Sequence, residues 1–223
     1  MEAILSLAGR TTSPAPSALP TRIGGFGGVE GLRAYLSSER IDAVIDATHP
    51  FAAQMSRHAA LACAAESVAL LSFTRPPWER VEGDAWIEVA DIAGAVAALG
   101  EPPRRVLLTH GRLQLAAFAQ APQHHYVVRA IEPPEGLDAL PSHRLILARG
   151  PFGRDAEEAL MRDARIEKLV SKNSGGAATY AKIEAARRLS IPVVMLTRPP
   201  PPDVARTHDL DRALEWIDHR AGS

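Results

Sequence analysis

One cysteine stands in 223 residues, Cys63 in the stretch "AALACAAES". A lone thiol excludes an internal disulfide and any site built from several thiolates. Its apolar neighbours predict a small buried residue on a helix. No run of about 18 apolar residues occurs, so no membrane span is expected. No basic, apolar and cleavage-site pattern opens the sequence, and a cytoplasmic protein is the expectation. Neither sign of charge dominates: 25 Lys+Arg against 26 Asp+Glu leave −1. That excludes a global basic field for nucleic acid but leaves cations enough for a local positive pocket. His, Asp and Glu nowhere take metal-ligand spacing, and no G-x-S-x-G occurs, so neither a metal centre nor an esterase-type nucleophile is expected. What remains is a chain 46% hydrophobic and 23% charged, with ample core for one large domain or two small ones.

Short β-like runs alternate with Ala-rich helical runs. "AILSL" (3–7), "IDAVIDA" (41–47), "VALLSF" (68–73) and "WIEVA" (86–90) read as strands, the second covered on both faces. Helices are predicted within 27–40, where Val29, Leu32 and Leu36 share a face, within 50–66 with Pro50 in its first turn, and within 91–99 with Asp91 as N-cap. "GEPPRR" (100–105) reads as a linker, and the alternation then restarts. Strands follow at 105–111, 124–131, 143–150, 166–171 and 191–199, with helices at "RLQLAAFAQ", 154–164, "TYAKIEAARRL" and 209–220. Alternation of this kind predicts parallel α/β layers. Two such sets predict two small domains, 1–101 and 102–223, with a cleft between them.

In parallel α/β sheets ligands bind beyond the carboxyl ends of the strands. The residues there include Ser6, Gly9, Arg10 and Thr11, then Thr48, His49 and Pro50, then Arg75, Thr109 to Gly111, Arg149, and Lys172 to Gly176. The last group, Lys-Asn-Ser-Gly-Gly, leaves backbone N–H groups uncovered at Gly175 and Gly176. It adds short donors at Asn173 and Ser174 and a positive charge at Lys172. Such a turn before a helix suits an anion. His49 can be a general acid or a packed cap. His58, His124 and His125 read as structural or solvent-facing. "GGFGG" (24–28) is read as a flexible turn, with ligand contact as the alternative, because it is not expected to lead from a strand into a helix. Arg10 lies where a Rossmann-like fold meets the 2′-phosphate of NADP, although a solvated arginine is the simpler reading.

"SLAGRT", "GGFGG", "VIDATHPFAAQMS", "RPPW", "KNSGGAATYAKIEAAR" and "IPVVMLTRP" occur in this order along nearly the whole chain. Together they resemble the precorrin-6A reductase family of cobalamin biosynthesis. The resemblance implies two Rossmann-like domains and NADPH as cofactor. It also implies hydride transfer to a tetrapyrrole fringed with carboxylates, giving precorrin-6B. By that resemblance the cofactor falls to Ser6, Gly9, Arg10, Thr11, Thr48, His49 and Pro50. The substrate falls to Arg75, Arg149, Lys172, Asn173, Ser174, Gly175, Gly176 and Lys182. If a protein acid is used, His49 and Tyr180 are the candidates. The Lys172–Gly176 turn can hold either cofactor phosphate or substrate carboxylate. "SLAGRT" and "GGFGG" favour the cobalt-free substrate.

The family opens with a strand, a glycine-rich GGT-x-EA-like turn and a helix, which cradle pyrophosphate. This sequence begins at Met1 just before what corresponds to the second strand. The expectation is that a first strand–helix unit of about 25 residues is missing from it. Two other readings stay open: a reductase of a small carbonyl or imine, and a non-catalytic α/β binding module lacking its phosphate loop.

Overall fold

The computed structural model describes residues 2–9, 16–109 and 115–221. Two compact units form. The first takes Met1–Thr74 and Pro200–Ser223, the second Arg75–Pro199.

In the first unit β1 (Leu5–Leu7), β2 (Thr21–Ile23), α1 (Val29–Ser38), β3 (Ala43–Asp46), α2 (Ala53–Ala65) and β4 (Ala69–Phe73) follow in order. The second unit contains β5 (Trp86–Val89), α3 (Ile92–Ala97), β6 (Arg105–Leu108), β7 (His125–Ala130), β8 (His143–Leu147), α4 (Arg154–Asp163), β9 (Lys168–Lys172), α5 (Ala181–Arg188) and β10 (Val193–Leu196). The chain then returns to the first unit with β11 (Ala205–Thr207) and α6 (Leu210–Ala221). Every strand pair is parallel. The alternation of strand and helix dictates this, because a crossover helix returns the chain to the same end of the sheet.

The second unit holds a six-stranded sheet in the order β5-β10-β9-β6-β7-β8. Its central strands are covered on both faces: Val106, Leu107 and Leu108 of β6 and all four residues of β10 are buried. Their unbroken apolar runs are the sequence signature of such strands. The first unit has a pair, β1-β2, and a trio, β11-β4-β3. Leu32 and Leu36 of α1 pack there with Ala59, Ala62 and Cys63 of α2. Cys63 is buried as its neighbours predict, and burial raises its thiol to about 11.

Several expectations need correction. The division expected at residues 101/102 falls instead at 74/75 and 199/200, because β5 pairs with β10, Trp86 opposite Val193. "GEPPRR" is a turn within the second unit. The strands β2 and β11 leave no mark in the sequence; three residues of mixed polarity give no periodic signal. β3 is half-buried along most of its length rather than covered on both faces. Pro50 precedes its helix, in a turn closed by Ala52 N–H to the His49 carbonyl at 2.7 Å. Within "RLQLAAFAQ" the described part, Leu115–Gln120, is a 3-10 helix. Asp91 caps α3 as predicted, accepting from the Gly94 N–H at 2.8 Å.

Four helices end by one device. Arg40, Ser67, Arg165 and Ser190 take φ near +50°, and the next residue is apolar: Ile41, Val68, Ile166 and Ile191. The N–H of each apolar residue bonds back to the last turn: to Leu36, Cys63, Met161 and Ala186. This is the Schellman arrangement, and it turns the chain straight into the next strand. None of the four left-handed positions is glycine, so each carries the Cβ penalty. Ser67→Gly and Ser190→Gly are each expected to raise the unfolding free energy by about 0.5–1 kcal/mol in urea titrations. A loss of stability in both would contradict this account of the helix ends.

Candidate functional site

In the second unit β9 delivers Lys172 at its carboxyl end, and Asn173 N–H makes one more bond to the Leu196 carbonyl at 2.9 Å. The chain then turns through Ser174, Gly175 and Gly176 towards α5. Against this turn lies the segment Arg75–Trp78. The Asn173 side-chain oxygen accepts from the Trp78 N–H at 2.8 Å, and its NH2 donates to the Trp78 carbonyl at 2.9 Å. The Trp78 indole N–H donates to the Gly176 carbonyl at 2.8 Å. Gly175 and Gly176 take φ of +68° and +73°. A Cβ at Gly175 would collide with the Pro76 carbonyl and the Arg198 guanidinium, and one at Gly176 would meet Arg75 Cδ at 2.8 Å. Both glycines are therefore required twice, by conformation and by close approach.

Arg198, two residues beyond β10, ties this assembly together. Its Nε donates to the Asn173 carbonyl at 2.9 Å and its Nη1 to the Arg75 carbonyl at 2.7 Å. Its Nη2 serves the Pro76 and Ser174 carbonyls at 3.2 and 3.1 Å. Among the described residues none accepts a hydrogen bond from the backbone N–H of Gly175, Gly176, Ala177, Ala178 or Thr179. A cavity of about 410 Å³ adjoins the turn, lined by Pro77, Trp78, Trp86, Asn173, Met195 and Arg198 among others.

Positive charge gathers at the same sheet edge. Lys182, in the first turn of α5, is only 5% exposed. Burial first, then the nearby Arg129, pull its ammonium down to about 8 against the opposing charge of Glu157. Burial also lowers Lys172. Arg129, at the end of β7, pairs with Glu157 at 2.7 Å and lies 4.0 Å over the Phe152 ring. The second oxygen of Glu157 is buried with no protein partner among the described residues. Arg75 and Arg149 are exposed near strand ends.

Two expected site residues have other work here. The Asn173 amide is committed at both ends to the Trp78 backbone, so it pins the turn rather than presenting a donor. Tyr180 stacks against Trp78 with centroids 5.6 Å apart, and its hydroxyl accepts from Arg187 at 2.7 Å. Arg187 in turn pairs with Asp84 at 2.8 Å. That engagement fits packing better than proton transfer.

In the first unit Asp46 is buried and its carboxylate accepts from Thr48 N–H at 3.0 Å, shaping the turn after β3. Thr48 Oγ1 lies 3.3 Å from the Ser56 hydroxyl. His49 is exposed, and its Nδ1 accepts from the Phe51 N–H at 3.2 Å. A neutral ring then carries its proton on Nε2. Ser6 lies on β1 and Gly9 just past it; Arg10 and Thr11 lie outside the described residues, as do His110 and Gly111.

"GGFGG" does lead from a strand into a helix, from β2 into α1, contrary to expectation. Arg22 organises it, donating to the Gly24 and Gly25 carbonyls at 2.6 and 2.7 Å and lying 3.9 Å over the Phe26 ring. A Cβ at Gly24, Gly25, Gly27 or Gly28 would meet nothing within 4 Å. These glycines open space beside a helix N-terminus, as phosphate-binding turns do. Arg22, Trp78, Arg129, Glu157 and Arg198 carry no local signal of their roles. "RPPW" and "MLTRP" only mark where Trp78 and Arg198 stand.

Parallel sheets with glycine-rich turns at their strand ends define a Rossmann-like α/β architecture. The family model described as precorrin-6x reductase CbiJ/CobK matches residues 1–218. A precorrin-6A reductase of Rhodobacter capsulatus is 50% identical over 99% of this chain and 88% of its own length. One from Mycobacterium tuberculosis is 47% identical over 97% of this chain and 88% of its own. A cobalt-precorrin-6A reductase of Priestia megaterium is 24% identical over 76% of this chain and 70% of its own. A solved structure titled CobK precorrin-6A reductase superposes with a TM-score of 0.93 at 49% identity, covering 98% of this chain and 87% of that one. The chain belongs to the precorrin-6x reductase family. Among the described residues no helix is long and apolar enough to cross a membrane.

The depressed Lys182 ammonium has a stability consequence. Its charged form is penalised in the fold, fully below about 8 and not at all above its ordinary 10.5. Wild-type stability should thus gain from this group as pH rises between those values. Lys182→Met is expected to be at least as stable as wild type at pH 7, with the advantage shrinking as pH rises through that window. Urea unfolding at stepped pH measures it, and a pH-independent loss in the variant would refute the buried-charge assignment.

Proposed function

We propose that the chain reduces precorrin-6A to precorrin-6B in cobalamin biosynthesis, with NADPH as the reductant. The observation that carries this reading is the gap between two sets of relatives. Precorrin-6A reductases match at 45 to 50% identity, and the cobalt-precorrin-6A reductases at 24 to 29%. That gap supports the cobalt-free substrate.

NADPH, when bound, supplies hydride to the macrocycle. The open glycines of 24–28, next to the N-terminus of α1, fit the phosphates of such a cofactor. Ser6, Gly9, Thr48, His49 and Pro50 would help to hold it, together with Arg10 and Thr11. The second unit is suited to the substrate. Its N–H groups at Gly175 and Gly176, the Ser174 hydroxyl, and Lys172, Lys182, Arg75 and Arg149 would hold acetate and propionate groups. The macrocycle is conjugated, so charge developing on hydride addition is delocalised over it. The protein's contribution is then chiefly to fix two large ligands. His49, with a proton on Nε2, is the remaining candidate for a protein acid.

The test is anaerobic turnover of precorrin-6A followed by absorbance, with NADPH and NADH in parallel. The expected result is corrinoid-dependent oxidation of NADPH, with kcat/KM at least about tenfold above that for NADH, a difference of about 1.4 kcal/mol. Binding of the tetrapyrrole without oxidation of either cofactor would favour a non-catalytic binding module instead.

A further inference from the structure

A peptide group is planar and trans, so each carbonyl points opposite to the N–H that follows it. Arg198 gathers the carbonyls of Asn173 and Ser174. The N–H groups of Ser174 and Gly175 must then point away from it. That of Ser174 is taken by the Lys172 carbonyl at 2.8 Å; that of Gly175 is taken by no described residue. Trp78 does the same one step on. Its indole N–H holds the Gly176 carbonyl, which turns the Ala177 N–H away from the ring.

The guanidinium of Arg198 spends all three nitrogens on four backbone carbonyls and pairs with no carboxylate among the described residues. Burial and the neighbouring Arg75 make its charged form costly. A cation kept there without a counter-ion contributes positive potential to the turn. A second, independent observation points to an anionic ligand. The ammonium of Lys182, a residue only 5% exposed, finds no hydrogen-bond acceptor among the described residues. It ends 5.5 Å from the centre of the Trp78 ring.

We propose that Arg198 and Trp78 are positioning residues of the substrate site: by holding the carbonyls of Asn173, Ser174 and Gly176, they aim the N–H groups of Gly175 and Ala177 at a substrate carboxylate. This rests on the reading of the turn as a carboxylate holder. Neither side chain needs to touch the substrate. Arg198 acts through its four carbonyl bonds and its charge, Trp78 through one N–H.

Trp78→Phe keeps a ring against Tyr180 and deletes the indole N–H. Arg198→Lys keeps the charge but cannot serve four carbonyls in one plane. Two measurements test the proposal. In steady-state turnover each variant should raise KM for precorrin-6A about tenfold, with KM for NADPH unchanged and kcat falling far less. In 15N–1H spectra of the full chain titrated with succinate, the Gly175 and Ala177 amides should shift saturably in wild type. Those shifts should be weakened or absent in both variants. If the variants lower the melting temperature but keep wild-type KM and wild-type amide shifts, Arg198 and Trp78 are packing residues and the proposal falls. If wild type binds succinate at these amides yet never reduces precorrin-6A, the functional reading fails while the amide comparison still decides the positioning role. Should Arg198→Lys not fold, Trp78→Phe decides alone.

Discussion

One guanidinium fixes the geometry at the carboxyl edge of the second unit's sheet. Arg198 joins the carbonyls of Arg75 and Pro76 to those of Asn173 and Ser174, four acceptors from two segments about a hundred residues apart in sequence. Without it those carbonyls would need water, and the turn would lose one of the two neighbours that crowd Gly175. A guanidinium half-withdrawn from water, as Arg198 is, normally seeks a carboxylate. Here its partners are neutral, so the hydrogen bonds are satisfied while the charge is not. The site thus acquires rigidity and positive potential from a single side chain.

That assembly can exist only because the sheet beneath it is continuous. Arg198 follows β10 and Lys172 ends β9, and these strands pair in parallel register, Leu196 opposite Lys172. Parallel pairing brings both carboxyl ends to the same edge, which is why residues that follow different strands converge there. The Schellman ends of α4 and α5 contribute to the same result. Each turns the chain without a loop, through Ile166 into β9 and through Ile191 into β10. Short connections leave little slack in the register, and register decides which residues reach the edge.

Much of this was legible in the sequence, and what was not has a common physical cause. Strongly apolar strands such as β6 and β10 could be read because burial on both faces demands an unbroken run. The Lys172–Gly176 turn could be read because glycine and short donors mark it locally. By contrast β2 and β11, "TRI" and "ART", are too short and too polar to announce themselves. With so faint a strand before it, "GGFGG" reads in the sequence as a turn unattached to a strand. The unit boundary is hidden from the sequence for a related reason. Proline and glycine at 100–105 are a local signal, whereas the pairing of Trp86 with Val193 is a long-range one. Asn173 shows the limit most sharply. Its residue type and position suit anion binding, yet both ends of its amide are used by Trp78, 95 residues away. Composition can say that a donor is present; only the fold says whether it is already spent.

The remaining donors can be sorted by the same criterion. Stability alone would select apolar groups at Lys182, because a charged amine among buried neighbours is held at a cost that no hydrogen bond in the described structure offsets. Arg129 escapes that cost by pairing with Glu157, and Lys182 and Arg129 together set two cations against that one carboxylate, one positive charge in excess. Folding does not need that excess, and a polyanionic ligand would. Violations of packing logic concentrate where a protein meets its ligand. Here they lie at the carboxyl edge of β7, in the first turns of α4 and α5, and in the turn that Arg198 and Trp78 hold. The arrangement is therefore better explained by the anion-holding role proposed for this edge than by how the unit folds.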